Sequence, residues 1–252
     1  MKVVKKTINI LLVLSIIVFA ATFFLRHSLP AVEAIMPEVY IAPQQEQVQE
    51  NVVSIEKDGF VAVVTKKYKY NLSGLVVSQH NSNVWYDYYH KSDPFNTKDL
   101  CVTWGDNITN GSYLNGKYKS GDFTCYWDFK TWEDYEELDD YQIANNHLIP
   151  ANDEIEKKIK SVKIGDQISF SGYLSNYSTT TADGQTLGTR GTSITREDTG
   201  DNSCEVVYVT DFNVLKKNTN IFVLAYQYSI YLVAGFLIFR IALFFTGGVR
   251  WN

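Results

Sequence analysis

The residues best suited to hold a charged ligand lie in a loop dense in glycine and hydroxyl groups, Gly188–Gly200. This loop carries Arg190 and Arg196, whose planar guanidinium groups can grip a carboxylate or a phosphate with two parallel hydrogen bonds. The same loop also carries Asp198, so the arginines can instead pair with acidic groups of the chain and fasten the loop. We expect this second, structural role, and an anion clamp is the alternative.

Histidine and cysteine side chains offer a second kind of chemistry. His80, His90 and His147 lie in the middle domain of the chain, but no H-x-x-x-H or C-x-x-C spacing typical of metal sites occurs there. The sequence therefore predicts no metal and no cofactor. A nucleophilic site would need the fold to bring His147 to Asp198 or to a cysteine such as Cys101 or Cys204.

The three cysteines, Cys101, Cys125 and Cys204, all lie in the same middle region. If this region is outside the cytoplasm, one disulfide can form and one thiol remains. Cys101–Cys125 is the preferred pair, because both residues have strand-forming neighbours and the closed loop is worth about 3 kcal/mol in the chain-entropy model. Three buried, reduced thiols are the alternative.

Two apolar runs without a charge, Thr7–Leu25 and Ile221–Phe239, stand at opposite ends of the chain. Each is long enough to cross a hydrocarbon core, which takes about 20 helical residues. Lysines precede the first run and an arginine follows the second, which favours cytoplasmic termini and an extracytoplasmic middle. A cleaved signal peptide is the alternative for the first run, although its apolar part is longer than such peptides usually have.

The middle of the chain is strongly acidic. Between residues 28 and 218 lie all 28 acidic residues and 17 of the 23 basic ones, a net charge of −11. Binding to a phosphate backbone relies on Lys and Arg that displace counterions, so we expect no nucleic-acid partner. The basic ends suit the anionic cytoplasmic leaflet of a membrane.

Composition divides the chain into four segments. Residues 1–27 hold a cytoplasmic tail and the first transmembrane helix, and residues 219–252 hold the second helix and a short cytoplasmic tail. Residues 28–52 contain several prolines and end in a Gln- and Glu-rich stretch, which predicts an extended spacer. Residues 53–218 alternate short β-branched segments with turns, which predicts an extracytoplasmic β-rich domain.

The clearest local signals in that domain are a helix and two strands. Asn152 can cap a helix that places Ile155 and Ile159 on one face. Apolar and polar residues then alternate from Ile168 to Leu174, and Cys204–Leu215 reads as the final strand.

The segments Lys163–Leu174 and Val207–Phe212 resemble the last strands of an OB-type barrel, in which a strand of the pattern G-D-x-ϕ-x-ϕ-x-G is a common element. With Asp99–Gly105 and Arg196–Glu205, the middle region also resembles a group of membrane-anchored bacterial envelope proteins for which no activity is established. The resemblance covers roughly residues 72–215 and implies an OB-like small barrel or sandwich with one or two helices. Such folds serve many functions, so the resemblance alone assigns none.

We therefore expect a mainly β domain flanked by two transmembrane helices in the inner membrane of a bacterium. Its expected role is non-enzymatic: it presents an OB-like domain to an envelope partner or a small ligand. One alternative is an envelope enzyme, hydrolase-like, that uses His147 with Asp198 or a cysteine, and another is a subunit of a membrane assembly. Convergence of His147, Arg190, Arg196 and a carboxylate on one cleft would favour the enzyme.

Overall fold

The apolar ends of the chain and its alternating middle form separate units. The computed structural model describes residues 2–82, 84, 87–88, 93–121, 123–195 and 204–246. Over these residues, one unit comprises Met1–Pro30 with Thr219–Asn252, and the other comprises Ala31–Asn218.

The elements are numbered along the chain, within the described residues. The α-helices are α1 (Lys2–Phe23), α2 (Asp106–Thr109), α3 (Trp132–Glu136), α4 (Asp153–Ser161) and α5 (Ile221–Thr246). The strands are β1 (Gln44–Lys57), β2 (Phe60–Asn81), β3 (Lys98–Thr103), β4 (Lys117–Gly121), β5 (Thr124–Asp128), β6 (Ile143–Pro150), β7 (Gln167–Thr181), β8 (Thr186–Arg190) and β9 (Glu205–Lys216). Short 3-10 turns lie at Val32–Ala34, Pro37–Tyr40, Ser112–Leu114 and Asp140–Gln142.

The first unit pairs the two terminal helices α1 and α5. They contain stretches of 21 and 25 residues that are long and apolar enough to cross a membrane, and most of each stretch is exposed. The rings of Phe19, late in α1, and Tyr226, early in α5, stack with 5.4 Å between their centroids. At the opposite end, Lys5 and Arg240 line one cavity, so the two helices run antiparallel.

The second unit is mainly β, as the sequence predicts. The 22-residue strand β2 pairs along one edge with β7, and along its other edge first with β1 and then with β3. From β3 the order continues through β6 and β9 to β7, with β6 and β9 parallel and the other neighbours antiparallel. Among the described strands, the pairings from β2 through β3, β6, β9 and β7 thus lead back to β2, and we term this order the five-strand cycle. The hairpin β4–β5 forms a separate two-stranded sheet.

Side chains of the five-strand cycle pack into an apolar core on one face of the sheet. Phe170 of β7 and Phe212 of β9 stack almost parallel within it, with ring centroids 6.1 Å apart. Helix α4 covers this core with the buried residues Ile155 and Ile159. The Asn152 side chain accepts a hydrogen bond from the backbone N–H of Ile155 at 3.0 Å, which confirms the predicted cap.

Residues 28–52, predicted to be an extended spacer, belong largely to the β unit, which begins at Ala31 and not at residue 53. Val39 is fully buried and its carbonyl accepts the backbone N–H of Gly105 at 3.1 Å. The Gln-rich stretch forms the first half of β1, paired with β2. An edge strand with an exposed face needs few apolar residues, so its composition matches that of a linker.

Candidate functional site

The disulfide joins β3 to the hairpin β4–β5. Cys101 of β3 and Cys125 of β5 are bonded, with their Cα atoms 5.8 Å apart and 24 positions between them in the chain. The predicted pairing is therefore present, but it links two sheets and does not bridge neighbouring strands of one ladder. A hydrogen bond of 2.7 Å between the hydroxyls of Ser78 and Ser120 ties the same hairpin to β2. Cys204 retains a free thiol.

The register of β3, β6 and β9 places the polar and cysteine side chains near the disulfide in two adjacent rows that run across the strands. In the antiparallel pair β3–β6, Asp99 lies opposite His147, and Cys101 lies opposite Asn145. Because side chains two residues apart point to the same face, all four share one face of the sheet. The parallel pair β6–β9 continues the second row to Cys204, which immediately precedes β9.

The centre of this face is a buried ion pair. The Nδ1 atom of His147 lies 2.7 Å from Oδ1 of Asp99, and both residues are almost fully buried. The Asp99 carboxylate also accepts hydrogen bonds from the side-chain amide of Asn96 at 2.7 Å and from the backbone N–H of Phe123 at 3.1 Å. These donors hold the carboxylate in one orientation and compensate its removal from water.

Burial alone would lower the pKa of His147. This effect of burial is outweighed by the negative charge of the Asp99 carboxylate and by hydrogen bonds with Asp99 and Cys204. Together they raise the pKa of His147 to about 10. The imidazole is therefore protonated at neutral pH, with Nδ1–H directed at Asp99.

The half-buried Cys204 lies at the edge of this pair. Its sulfur is 3.6 Å from Nδ2 of Asn145 and 3.5 Å from the carbonyl oxygen of Phe123. Asn145 is 5 % exposed, and its Oδ1 has no hydrogen-bond partner among the described residues. A buried polar atom left in this state is costly, so the Asn145 side chain carries unused hydrogen-bonding capacity beside the thiol.

Phe123 connects the cluster to Arg190. The backbone of Phe123 has φ +60°, a region that bulky side chains rarely adopt. Its ring meets the His147 ring edge-on at 5.6 Å between centroids, and the guanidinium carbon of Arg190 lies 3.3 Å from its centroid. The strained turn thus places one aromatic ring against two cations.

Arg190 has an acidic partner on another segment. Its Nε lies 3.6 Å from Oδ2 of Asp93, and the same oxygen accepts a hydrogen bond from the hydroxyl of Tyr177. Burial and the nearby Asp93 carboxylate raise the pKa of the Tyr177 hydroxyl well above its usual range. The arginine therefore pairs with an acid of the chain, Asp93, which lies outside its own loop.

Of the residues singled out in the sequence, the fold brings His147, Arg190 and Cys204 into one cluster around Phe123. Arg196 and Asp198 lie outside the described residues. Sequence reasoning missed Asp99, Asn145 and Phe123, because only strand register and the disulfide-linked hairpin bring them to the site. The alternation of polar residues at positions 99 and 101, and at 145 and 147, is the signal that marks a polar face on two strands.

Among the described residues, no group of three or more His, Cys, Asp or Glu side chains is arranged to hold a metal ion. Comparison with models of protein families, with curated proteins and with solved structures gave no match. The chemistry of the site therefore has to follow from its own geometry. That geometry joins a thiol, an imidazolium, a carboxylate and an amide at the surface of the sheet.

Proposed function

We propose that the protein is a double-pass protein of a bacterial inner membrane, which presents an OB-like barrel outside the cytoplasm to bind an envelope partner or a small ligand. The observation that carries this proposal is the five-strand cycle together with the polar cluster on β3 and β6. OB barrels are five-stranded, and they bind ligands on the face of their second and third strands. In chain order, β3 and β6 are the second and third strands of the cycle.

The membrane part of the proposal is supported by the terminal helices. Both are apolar over a membrane-spanning length, and their antiparallel pairing puts the two chain ends on the same side. The basic residues near those ends favour the cytoplasmic side. The acidic β unit, with its disulfide, suits the oxidising extracytoplasmic side.

Reporter fusions test this topology. We expect fusions at either terminus to report the cytoplasm, and a fusion after Ser120 to report the extracytoplasmic side, because the basic flanks fix the orientation of both helices. A cytoplasmic signal after Ser120 would overturn the topology and remove the reason for a stable disulfide. A fusion after Lys216 serves as a control and should agree with the one after Ser120.

An envelope enzyme is the second candidate function. The observation that favours it is that the His147–Asp99 pair and Cys204 lie together around Phe123. A nucleophile, a proton carrier and an orienting carboxylate form the arrangement used for nucleophilic catalysis. Loss of a ligand-dependent reaction in Cys204→Ser, with binding retained, would separate this candidate from a pure binding domain.

A further inference from the structure

We propose that Cys204 is a nucleophile for acyl transfer, which attacks the carbonyl carbon of an ester or thioester. In this assignment His147 carries the proton, Asp99 positions His147, and the side-chain amide of Asn145 donates to the oxyanion. The assignment rests on the second candidate function and is independent of the membrane topology.

The first step of the case is the order of contacts from carboxylate to sulfur. Asp99 holds Nδ1 of His147 at 2.7 Å. Cys204 lies two residues before Val206, the residue opposite His147 on β9, and both His147 and Cys204 contact Phe123. An imidazolium next to a cysteine favours the thiolate, which is the nucleophilic form. Another described pair, Nε2 of His80 with Asp87, has the same 2.7 Å separation through the other ring nitrogen and provides a comparison.

The second step is the environment of the sulfur. Asn145 directs Nδ2 at the sulfur of Cys204 from 3.6 Å, and its buried Oδ1 has no partner among the described residues. An amide donor next to the attacking sulfur is placed to bind the negative oxygen that forms as the carbonyl is attacked. Removing such a donor costs a large part of a catalytic rate while leaving the nucleophile in place.

The row Cys101, Asn145 and Cys204 favours acyl transfer over thiol–disulfide exchange as the reaction of Cys204. Across the sheet, Asn145 stands between Cys101 and Cys204, so the free thiol and the disulfide sulfur on β3 are not neighbours in the ladder. An exchange reaction needs a thiolate in line with a disulfide sulfur. The amide between them serves an oxyanion, and we therefore assign a carbonyl substrate.

The reaction balances as follows. The sulfur electron pair of Cys204 forms a bond to the carbonyl carbon, and the carbonyl π pair moves to the oxygen, which accepts a hydrogen bond from Asn145. Collapse of the oxyanion breaks the bond to the leaving oxygen or sulfur, which takes the proton from His147. Water then attacks the thioester, passes one proton to His147 and releases the acid and the Cys204 thiolate. No oxidant or reductant takes part.

The experiment uses the full chain in detergent micelles and p-nitrophenyl acetate as the probe. We expect a rapid release of nitrophenolate with an acetyl group on Cys204, located by mass spectrometry of peptides. His147→Asn should slow this acylation about a hundredfold, and Asn145→Ala by a similar factor, since each removes a group that acts at the transition state. Asp99→Asn should lower kcat with little change in KM, because a positioning residue does not bind the substrate.

Matched variants make the result decisive. His80→Asn alters the other histidine–aspartate pair and should acylate like the wild type, and Cys204→Ser should lose the adduct. If His147→Asn does not fold, Asn145→Ala decides the question, because it leaves the His147–Asp99 pair intact. Acylation of Cys204 at an unchanged rate in Asn145→Ala, an adduct on another residue, no adduct at all, or a new disulfide between Cys204 and Cys101 or Cys125 would each overturn the assignment.

Discussion

At the scale of single residues, the buried ion pair of His147 and Asp99 couples the stability of the β unit to pH. The native state retains a proton on His147 up to about pH 10, whereas an unfolded histidine loses it near pH 6.5. The pair therefore stabilises the fold fully below about pH 6.5, and this contribution is lost as the pH rises toward 10.

We expect the free energy of unfolding to fall by about 2 kcal/mol between pH 6.5 and pH 8, since the native state keeps the proton on His147 while the unfolded histidine, half protonated at pH 6.5, loses it over this window. Urea unfolding at each pH measures the slope in Cys204→Ser, where the thiol does not titrate and Asp99, the largest cause of the raised pKa, is retained. The window stops at pH 8 because burial lowers the pKa of Lys98 to about 8, and Lys98 then contributes with the opposite sign. In the double variant Cys204→Ser/His147→Asn, the free energy of unfolding should not fall over this pH window. An equal fall in the double variant and in Cys204→Ser would contradict the prediction.

Arg190 provides a residue-scale test of the structural role expected for the arginine loop. Its side chain is about one-third exposed, and its contacts are a 3.6 Å ion pair with Asp93 and the face of Phe123. Arg190→Ala should lower the free energy of unfolding by about 1 kcal/mol, measured by urea unfolding, because such pairs and cation–π contacts are individually weak. Arg190→Lys keeps the charge but loses the planar contact with Phe123. Its free energy of unfolding should therefore lie between those of Arg190→Ala and the wild type. Loss of ligand or partner capture without any loss of stability would instead identify an anion clamp.

At the scale of elements, the β1–β2 hairpin turns at Asp58-Gly59, a two-residue loop in which both residues have positive φ. This geometry matches the right-handed twist of the strands and strongly favours glycine at the second position. Gly59→Ala should lower the free energy of unfolding by about 1 kcal/mol through backbone strain alone, because a Cβ there meets open space. Gly188→Ala, which also meets open space but has no positive φ, is the matched control and should be close to neutral in the same urea titration.

The position of the hairpin β4–β5 depends on the disulfide Cys101–Cys125. Its strands belong to a separate sheet, so Cys101–Cys125 is a principal tie between it and β3. Cys101→Ser/Cys125→Ser should lower the free energy of unfolding by about 3 kcal/mol under non-reducing conditions. Cys204→Ser should leave it nearly unchanged. Recovery of all three thiols in reduced form from native membranes would remove the premise.

At the scale of the whole molecule, the sequence predicts the large features and misses those that depend on register. The apolar ends, helix α4 and the alternation in β7 carry local periodic signals, and these predictions hold. The first half of edge strand β1 resembles a spacer in sequence, because its polar residues have no periodic apolar face. The neighbours of His147 could not be read from the sequence, because Asp99 and Cys204 lie 48 and 57 positions away and only the pairing of three strands joins them.

The parallel pairing of β6 with β9 has a consequence for the order in which the chain is made. Of the described strands, β9 is synthesised after all the others, and it fills the place between β6 and β7. Until residues 205–216 emerge from the ribosome, both neighbours keep one unpaired edge, which is the state most exposed to aggregation. A ribosome that stops before Cys204 would thus leave a product with two open strand edges and without the candidate nucleophile. The nascent chain acquires Cys204 and β9 almost in the same step.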